Sequence, residues 1–156
     1  MHPLQMTKEI NISPPKAIVD NASWTTNVID CQGFDYLKVT VSLGALDIAM
    51  AALKLQESDT ATDGTTLSSP SDTPGMVFGT SNNTGGSAST LPSATADNNL
   101  YSFELDLRGR KRYQQLVATG GDGAAGTFMS ATAQLYGGKS TPVSPTERGV
   151  AQILRA

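Results

Sequence analysis

The chain has 156 residues, of which 38% are hydrophobic and only 16% are charged, and its formal net charge is −3. This length is typical of a single domain, and a composition rich in Ser, Thr, Asn and Gly disfavours long helices. The acidic balance argues against a nucleic-acid binder. One cysteine and one histidine argue against an internal disulfide, a cysteine-rich zinc site and His-based catalysis.

The N-terminal residues contain no apolar run behind a basic start, so we expect no signal peptide. The most apolar window, residues 43–55, is interrupted by Gly44 and Asp47. No stretch approaches the roughly 18 apolar residues of a membrane span. The sequence therefore predicts a soluble protein that is made in a cytoplasm and does not associate with membranes.

The first elements along the chain are an arm and several strands. Residues 1–14 are mixed in character and run into the pair Pro14-Pro15, so they are predicted to form an N-terminal arm. Short strands are expected near residues 18–29, where β-branched residues and Trp24 cluster. In residues 37–43 apolar and polar side chains alternate, which is typical of a half-buried strand. A turn across 44–49 and a strand over 50–58 are predicted to follow.

Residues 59–98 are dense in Gly, Pro, Ser, Thr, Asn and Asp. This composition predicts a long surface excursion with one short strand at residues 75–79. Two interpretations stay open, a loop without a specific role and a loop that contacts a neighbouring subunit.

Alternation returns over residues 101–107, and strands are also predicted within 112–121 and 128–138, with a Gly-rich turn between the last two segments. About eight strands at this spacing favour an all-β fold. We predict a two-sheet antiparallel β-sandwich over residues 15–137, jelly-roll-like, with extended N- and C-terminal arms. An immunoglobulin-like sandwich has a similar strand count. Residues 138–156 are the predicted C-terminal arm.

Four of the eleven basic residues lie close together in the sequence RGRKR, namely Arg108, Arg110, Lys111 and Arg112. The flanking strands make this stretch a hairpin loop, in which Gly109 supplies a positive φ. One interpretation is a solvated turn, since charged side chains at a hairpin tip keep their water. The other is a contact that pairs arginines with carboxylates of another subunit. Direct nucleic-acid recognition is disfavoured, because only Tyr113 is nearby for base stacking.

The sequence gives little support for a catalytic, carbohydrate-binding or metal-binding site. The carboxylate pairs Glu57/Asp59 and Glu104/Asp106 alternate along strands, so each pair is expected on a solvent face. Cys31 is predicted to be a small apolar filler. Trp24 is predicted to lie in the core, with a carbohydrate platform as the alternative. No catalytic residue, cofactor or metal site is predicted.

The most distinctive stretches are DNASWTT (residues 20–26), FDYL (34–37), KLQESD (54–59) and DLRGRKRY (106–113). With them, residues 15–137 resemble small virion proteins of tailed bacteriophages, of the capsid cement or decoration type. The resemblance implies a jelly-roll-like domain on the outside of a capsid, commonly a homotrimer at local three-fold positions. It implies no catalytic residues, and both predicted arms lie outside it.

The sequence thus leads to a structural hypothesis: a virion protein on the capsid surface that binds the major capsid protein and stabilises joints between its subunits. Contact residues are expected in the basic loop and in the apolar positions of the arms, which are Leu4, Ile10, Ile12, Val150, Ile153 and Leu154. A fibre, spike or tail module that recognises a receptor or glycan is the alternative. It needs exposed aromatic residues, and the long loops offer only Phe78. A hydrolase on a β-sandwich is least favoured.

Overall fold

The computed structural model of the chain describes residues 6–15, 19–139 and 144–153. Nine β-strands and no α-helix occur among these residues. In chain order the strands are β1 (Lys8–Ser13), β2 (Ser23–Thr25), β3 (Ile29–Asp30), β4 (Tyr36–Leu46), β5 (Ala52–Ser58), β6 (Ser71–Val77), β7 (Leu100–Asp106), β8 (Tyr113–Thr119) and β9 (Thr127–Tyr136). Within these described ranges, no helix is long and apolar enough to cross a membrane.

The strands form two antiparallel sheets. The first has the order β1-β9-β4-β7, and the second has the order β2-β8-β5-β6 with β3 also paired to β8. Because β2 and β3 share one neighbour, they act as a single interrupted strand. The pairing is then nested: β1 with β9, β2 and β3 with β8, β4 with β7, and β5 with β6. A long hairpin rolled into two sheets in this way is a jelly roll, so the predicted two-sheet β-sandwich is confirmed.

The core lies between the sheets and follows the alternation in the sequence. Successive side chains of a strand point to opposite faces, so every second residue of β4, β7 and β9 turns inward. Each fully buried Leu or Val contributes about 1.5–3 kcal/mol relative to an exposed one. The inward residues from both sheets form one buried cluster that includes Leu37, Val39, Val41, Leu53, Leu55, Phe103, Leu105, Leu116, Ala118, Met129, Ala131, Ala133 and Leu135.

Three segments differ from the sequence-based expectation. Within the predicted N-terminal arm, residues 8–13 form β1 and pair with β9. The reason is that Ile12 turns into the core, where it is only 1% exposed, and Ile10 packs against the same cluster. The turn expected at 44–49 begins later, because β4 continues to Leu46 through a register shift. The short strand expected at 75–79 is β6, which starts at Ser71.

The excursion over residues 59–98 is held against the sandwich at several points. The Val28 N–H donates to the Gly64 carbonyl at 2.8 Å, and the Met50 N–H donates to the Pro92 carbonyl at 3.0 Å. The ring of Phe78 packs edge-to-face against Phe103 at 5.0 Å between ring centroids. These contacts make the excursion part of the folded domain.

Candidate interaction surfaces

The RGRKR loop connects β7 to β8 and forms a tight turn. The Arg110 N–H donates to the Leu107 carbonyl at 3.0 Å, and Gly109 has φ of +75°. A residue with a side chain is disfavoured at that φ, which explains the glycine between the arginines. We call residues 107–112, together with the carboxylates that pair with them, the basic corner.

Two arginines of the basic corner form exposed ion pairs. Arg108 pairs with Asp106 through its Nε and Nη2 atoms. Arg112 donates from Nε and Nη2 to the carboxylate of Asp30 at 2.9 and 2.6 Å. The hydrogen bonds from Arg108 lower the pKa of Asp106 to about 2, and those from Arg112 lower the pKa of Asp30. Both carboxylates therefore stay ionised in mildly acidic solution.

The third arginine lies over a buried polar cluster. Arg110 Nη1 is 3.9 Å from Oε1 of Glu57, whose side chain is only 8% exposed. Gln114 Nε2 donates to Glu57 Oε2 at 3.2 Å, and Thr73 Oγ1 donates to Gln114 Oε1 at 2.8 Å. The prediction that Glu57 lies on a solvent face is wrong, because its position on β5 has the inward parity of Leu55. These groups close one end of the sandwich.

The remaining cation, Lys111, donates from Nζ to Ser71 Oγ at 3.1 Å. All four basic side chains are thus engaged by groups of their own chain. Three carboxylates, those of Asp30, Glu57 and Asp106, lie beside the three arginines. The basic corner is therefore largely neutralised within the domain, which weakens its attraction for a distant anion.

The described part of the C-terminal arm, residues 144–153, lies against the free edge of β1. The Glu9 N–H donates to the Arg148 carbonyl at 2.8 Å, and Arg148 Nη2 donates to Thr7 Oγ1 at 3.2 Å. Gly149 approaches the Glu9 carbonyl so closely that a Cβ there would overlap it. We call residues 144–153 the C-terminal strap.

The apolar residues predicted as arm contacts fall in three places. Ile10 and Ile12 lie in β1 and serve the core of their own domain. Val150 and Ile153 line a shallow groove of about 280 Å³ beside Glu9. Leu4 and Leu154 lie outside the described residues.

The outer face of the first sheet is flat and polar in its middle. Asn11, Thr132, Thr40 and Ser102 lie side by side on β1, β9, β4 and β7. These short side chains leave no protrusion. Larger residues occur only towards the two ends of this face.

Four large hydrophobic side chains are exposed among the described residues, and sequence reasoning did not single them out. They are Tyr36 (47% exposed), Ile48 (38%), Leu100 (69%) and Phe128 (41%). A signal was present for three of them. Tyr36, Leu100 and Phe128 share strand parity with polar neighbours, and that parity predicts a solvent-facing side chain.

Three of these four side chains lie at one end of the sandwich, opposite the basic corner. Phe128 packs across Gly44, where a Cβ would lie 2.9 Å from the Cβ of Phe128. Leu100 is beside Ser42 on the neighbouring strand, and Ile48 lies in the loop that leaves β4. We call Ile48, Leu100 and Phe128 the apolar end.

Cys31 and Trp24, the residues with the clearest chemical potential in the sequence, are both buried. Cys31 is buried, and burial raises the pKa of its thiol to about 12, so it is not a reactive thiolate at neutral pH. Trp24 lies in the core, as predicted. Across the described ranges, no group of three or more His, Cys, Asp or Glu residues is arranged to hold a metal ion.

No protein-family model matches the sequence, and no curated protein matches it at a significant level.

Proposed function

We propose that this chain is a structural virion protein of the capsid cement or decoration type, which binds the outside of a phage capsid. Its partners are the major capsid protein and further copies of itself. The role is mechanical: each bound domain buries surface across a joint between capsid subunits. About 800 Å² per partner is sufficient for a specific contact.

The observation that carries the proposal is the apolar end. Three large hydrophobic side chains are exposed at one end of the sandwich, and exposed apolar surface is a feature of protein interfaces. The basic corner at the opposite end is the less suitable contact, because its arginines already have carboxylate partners. We therefore place the capsid-facing surface at Ile48 and Phe128.

A matched pair of variants tests this placement. Ile48→Asp and Phe128→Asp put a charge in the apolar end, whereas Tyr36→Asp makes the same change to an equally exposed residue at the other end. Binding is measured by co-sedimentation with capsid shells assembled without this protein. We expect the first two variants to bind at least about tenfold more weakly, a loss of ~1.4 kcal/mol, and the third to bind normally.

Failure of the intact chain to bind shells would reject the proposed function. Normal binding by both apolar-end variants, with loss in Tyr36→Asp, would reject the placement and move the contact to the opposite end. Urea unfolding of each variant confirms that the fold is retained, since all three side chains are exposed.

Glycan or receptor recognition is the second candidate, and one observation favours it. Tyr36 and Tyr136 are neighbours on the outer face and border a groove of about 430 Å³ that also contains Lys38, Glu104 and Asp106. Aromatic rings beside charged and hydroxyl groups suit a sugar, which has apolar and polar faces. A glycan array with the intact chain and Tyr36→Ala tests this candidate. Binding that is lost in the variant would support it over the capsid role.

A further inference from the structure

Among the residues that the structure describes, none pairs with the outer edge of strand β7. β7 pairs with β4 in an unbroken register from Leu100 to Asp106. The Asn99 carbonyl accepts from the Leu43 N–H, and the Leu107 N–H donates to the Asp35 carbonyl. Odd-numbered residues of β7 therefore direct their backbone groups to β4. In an antiparallel strand the even-numbered residues then direct theirs outward.

The outward groups belong to Leu100, Ser102, Glu104 and Asp106. Within the described ranges, no hydrogen bond reaches the backbone N–H or C=O of these four residues. A row of unpaired donors and acceptors of this kind is a template for another strand. The row is also straight, because the β4–β7 register has no bulge.

The other sheet edges are protected. β1 is covered by the C-terminal strap. β6 contains Pro74, which has no N–H, and its pairing with β5 is irregular. The edge made by β2 and β3 is short and interrupted, and the intervening Val28 N–H already donates to Gly64. Natural sheets use such devices to prevent edge pairing, so the open β7 edge is the exception in this fold.

A groove with both apolar and polar lining residues lies beside the β7 edge. It has a volume of about 310 Å³ and lies between β7 and the segment that follows β6. Met76, Phe78 and Phe103 contribute apolar surface to its lining. A strand added to β7 would direct every second side chain towards this groove and the others towards the outer face.

We propose that β7 pairs with β7 of a second copy of this chain, antiparallel and about a two-fold axis. β7 itself has the required alternation, since Tyr101, Phe103 and Leu105 face inward while Ser102 and Glu104 face outward. In the paired sheet the inward residues of both strands would stay in the cores of their own domains, and the polar residues of both strands would share the outer face. The result is a continuous eight-stranded sheet across two domains.

The register that pairs the full length of β7 has its axis at Phe103, and charge is compatible with it. A two-fold axis at Phe103 places Ser102 opposite Glu104 of the partner subunit and Leu100 opposite Asp106 of the partner subunit. An axis at Glu104 would put two carboxylates face to face, which is unfavourable in a cross-strand pair. The acidic residues are also compensated within the chain, because Glu104 is 3.3 Å from Lys38 and Asp106 pairs with Arg108. Repulsion between the two edges is therefore small.

The first test removes an edge donor. Ser102→Pro deletes one outward N–H, at an edge position where proline is tolerated. Sedimentation equilibrium of the full chain up to millimolar concentration is expected to show a monomer–dimer equilibrium that Ser102→Pro abolishes. Hydrogen exchange is expected to show that the Ser102 and Glu104 amides become protected as concentration rises.

The second test leaves the backbone intact. In the Ser102→Glu variant the new carboxylate faces Glu104 of the partner subunit, so the dimer is expected to weaken about tenfold. Ser102→Lys is expected to strengthen the dimer by a similar factor. Thr132→Glu and Thr132→Lys are the matched controls, since Thr132 lies in the same row but two strands from the edge. Both are expected to leave the equilibrium unchanged.

A wild-type chain that stays monomeric, or that associates equally well in Ser102→Pro and Ser102→Glu, would overturn the proposal. Protection of the β7 amides only on addition of another protein would assign the edge to that partner instead and reject self-pairing. The result is independent of the capsid role, because no capsid is present in either experiment.

Discussion

Single residues at the basic corner differ in what they contribute to stability. Arg110 lies beside the buried carboxylate of Glu57, whereas the side chain of Arg108 is 74% exposed beside an exposed partner. Removing one member of a buried pair leaves the other without compensation, but exposed ion pairs contribute little. The two arginines therefore have different roles despite their closeness in sequence.

We predict that Arg110→Ala lowers the free energy of unfolding by about 1–3 kcal/mol. Arg108→Ala, the matched control, is expected to lower it by less than about 1 kcal/mol. Equilibrium urea unfolding measures both. Repeating Arg110→Ala in a Glu57→Gln background is expected to reduce its effect, because the buried charge is then absent. Equal effects for the two arginines would contradict this description of the corner.

The paired aspartates of the basic corner are expected to contribute folding stability that is lost in acid. The pKa of Asp106 is lowered to about 2 and that of Asp30 is lowered as well, so the folded state binds fewer protons than the unfolded state. Their contribution is complete above the unfolded pKa of about 3.9 and is lost as the pH falls through the lowered values. The expected window is therefore about pH 4 to 2.

Urea unfolding at a series of pH values across that window measures the contribution. The wild-type chain is expected to lose more stability between about pH 4 and 2 than a variant carrying Asp30→Asn and Asp106→Asn. Superimposable pH profiles for the two proteins would show that the ion pairs contribute nothing to folding.

Among the structural elements, the C-terminal strap contacts the sandwich through β1. Gly149 has φ of +79° and presses on the Glu9 carbonyl, so this contact requires a glycine. The strap contributes edge hydrogen bonds but no residue of the buried core. It is therefore separable from the sandwich.

We predict that Gly149→Ala releases the strap while the sandwich stays folded. Hydrogen exchange at the Glu9 amide is expected to accelerate, and limited proteolysis within residues 144–153 to become faster. Gly64→Ala is the control, since no atom lies within 4 Å of its added Cβ and its φ is ordinary. Unchanged exchange at Glu9 in Gly149→Ala would contradict the contact.

Alternation made most strands predictable from the sequence, since inward parity in residues 37–43 and 129–135 matches the buried face in the structure. When the alternation is extended to residue 57 of β5 and residue 128 of β9, it predicts an inward-facing Glu57 and an outward-facing Phe128. It could not give β1, because residues 8–13 become a strand only through pairing with β9, more than 100 residues away. The candidate surfaces depend on which edges remain unpaired, and this is a property of the whole sheet.

The whole molecule is a rolled hairpin with distinct ends and edges. The basic corner, with its compensated charges, lies at one end, and the apolar end lies opposite. One sheet edge is covered by the strap, and among the described residues the β7 edge has no partner. Binding through one surface and self-association through another would let many weak contacts act together across a shell. This combination would suit the proposed cement role, although capsid binding does not depend on self-pairing.

Quantitative mass spectrometry of purified virus particles tests the central claim most directly. A protein that stabilises joints over the whole shell is expected at a copy number of the same order as that of the major capsid protein. Absence from the particle, or presence at only a few copies as for a protein of the tail or of a single vertex, would contradict it.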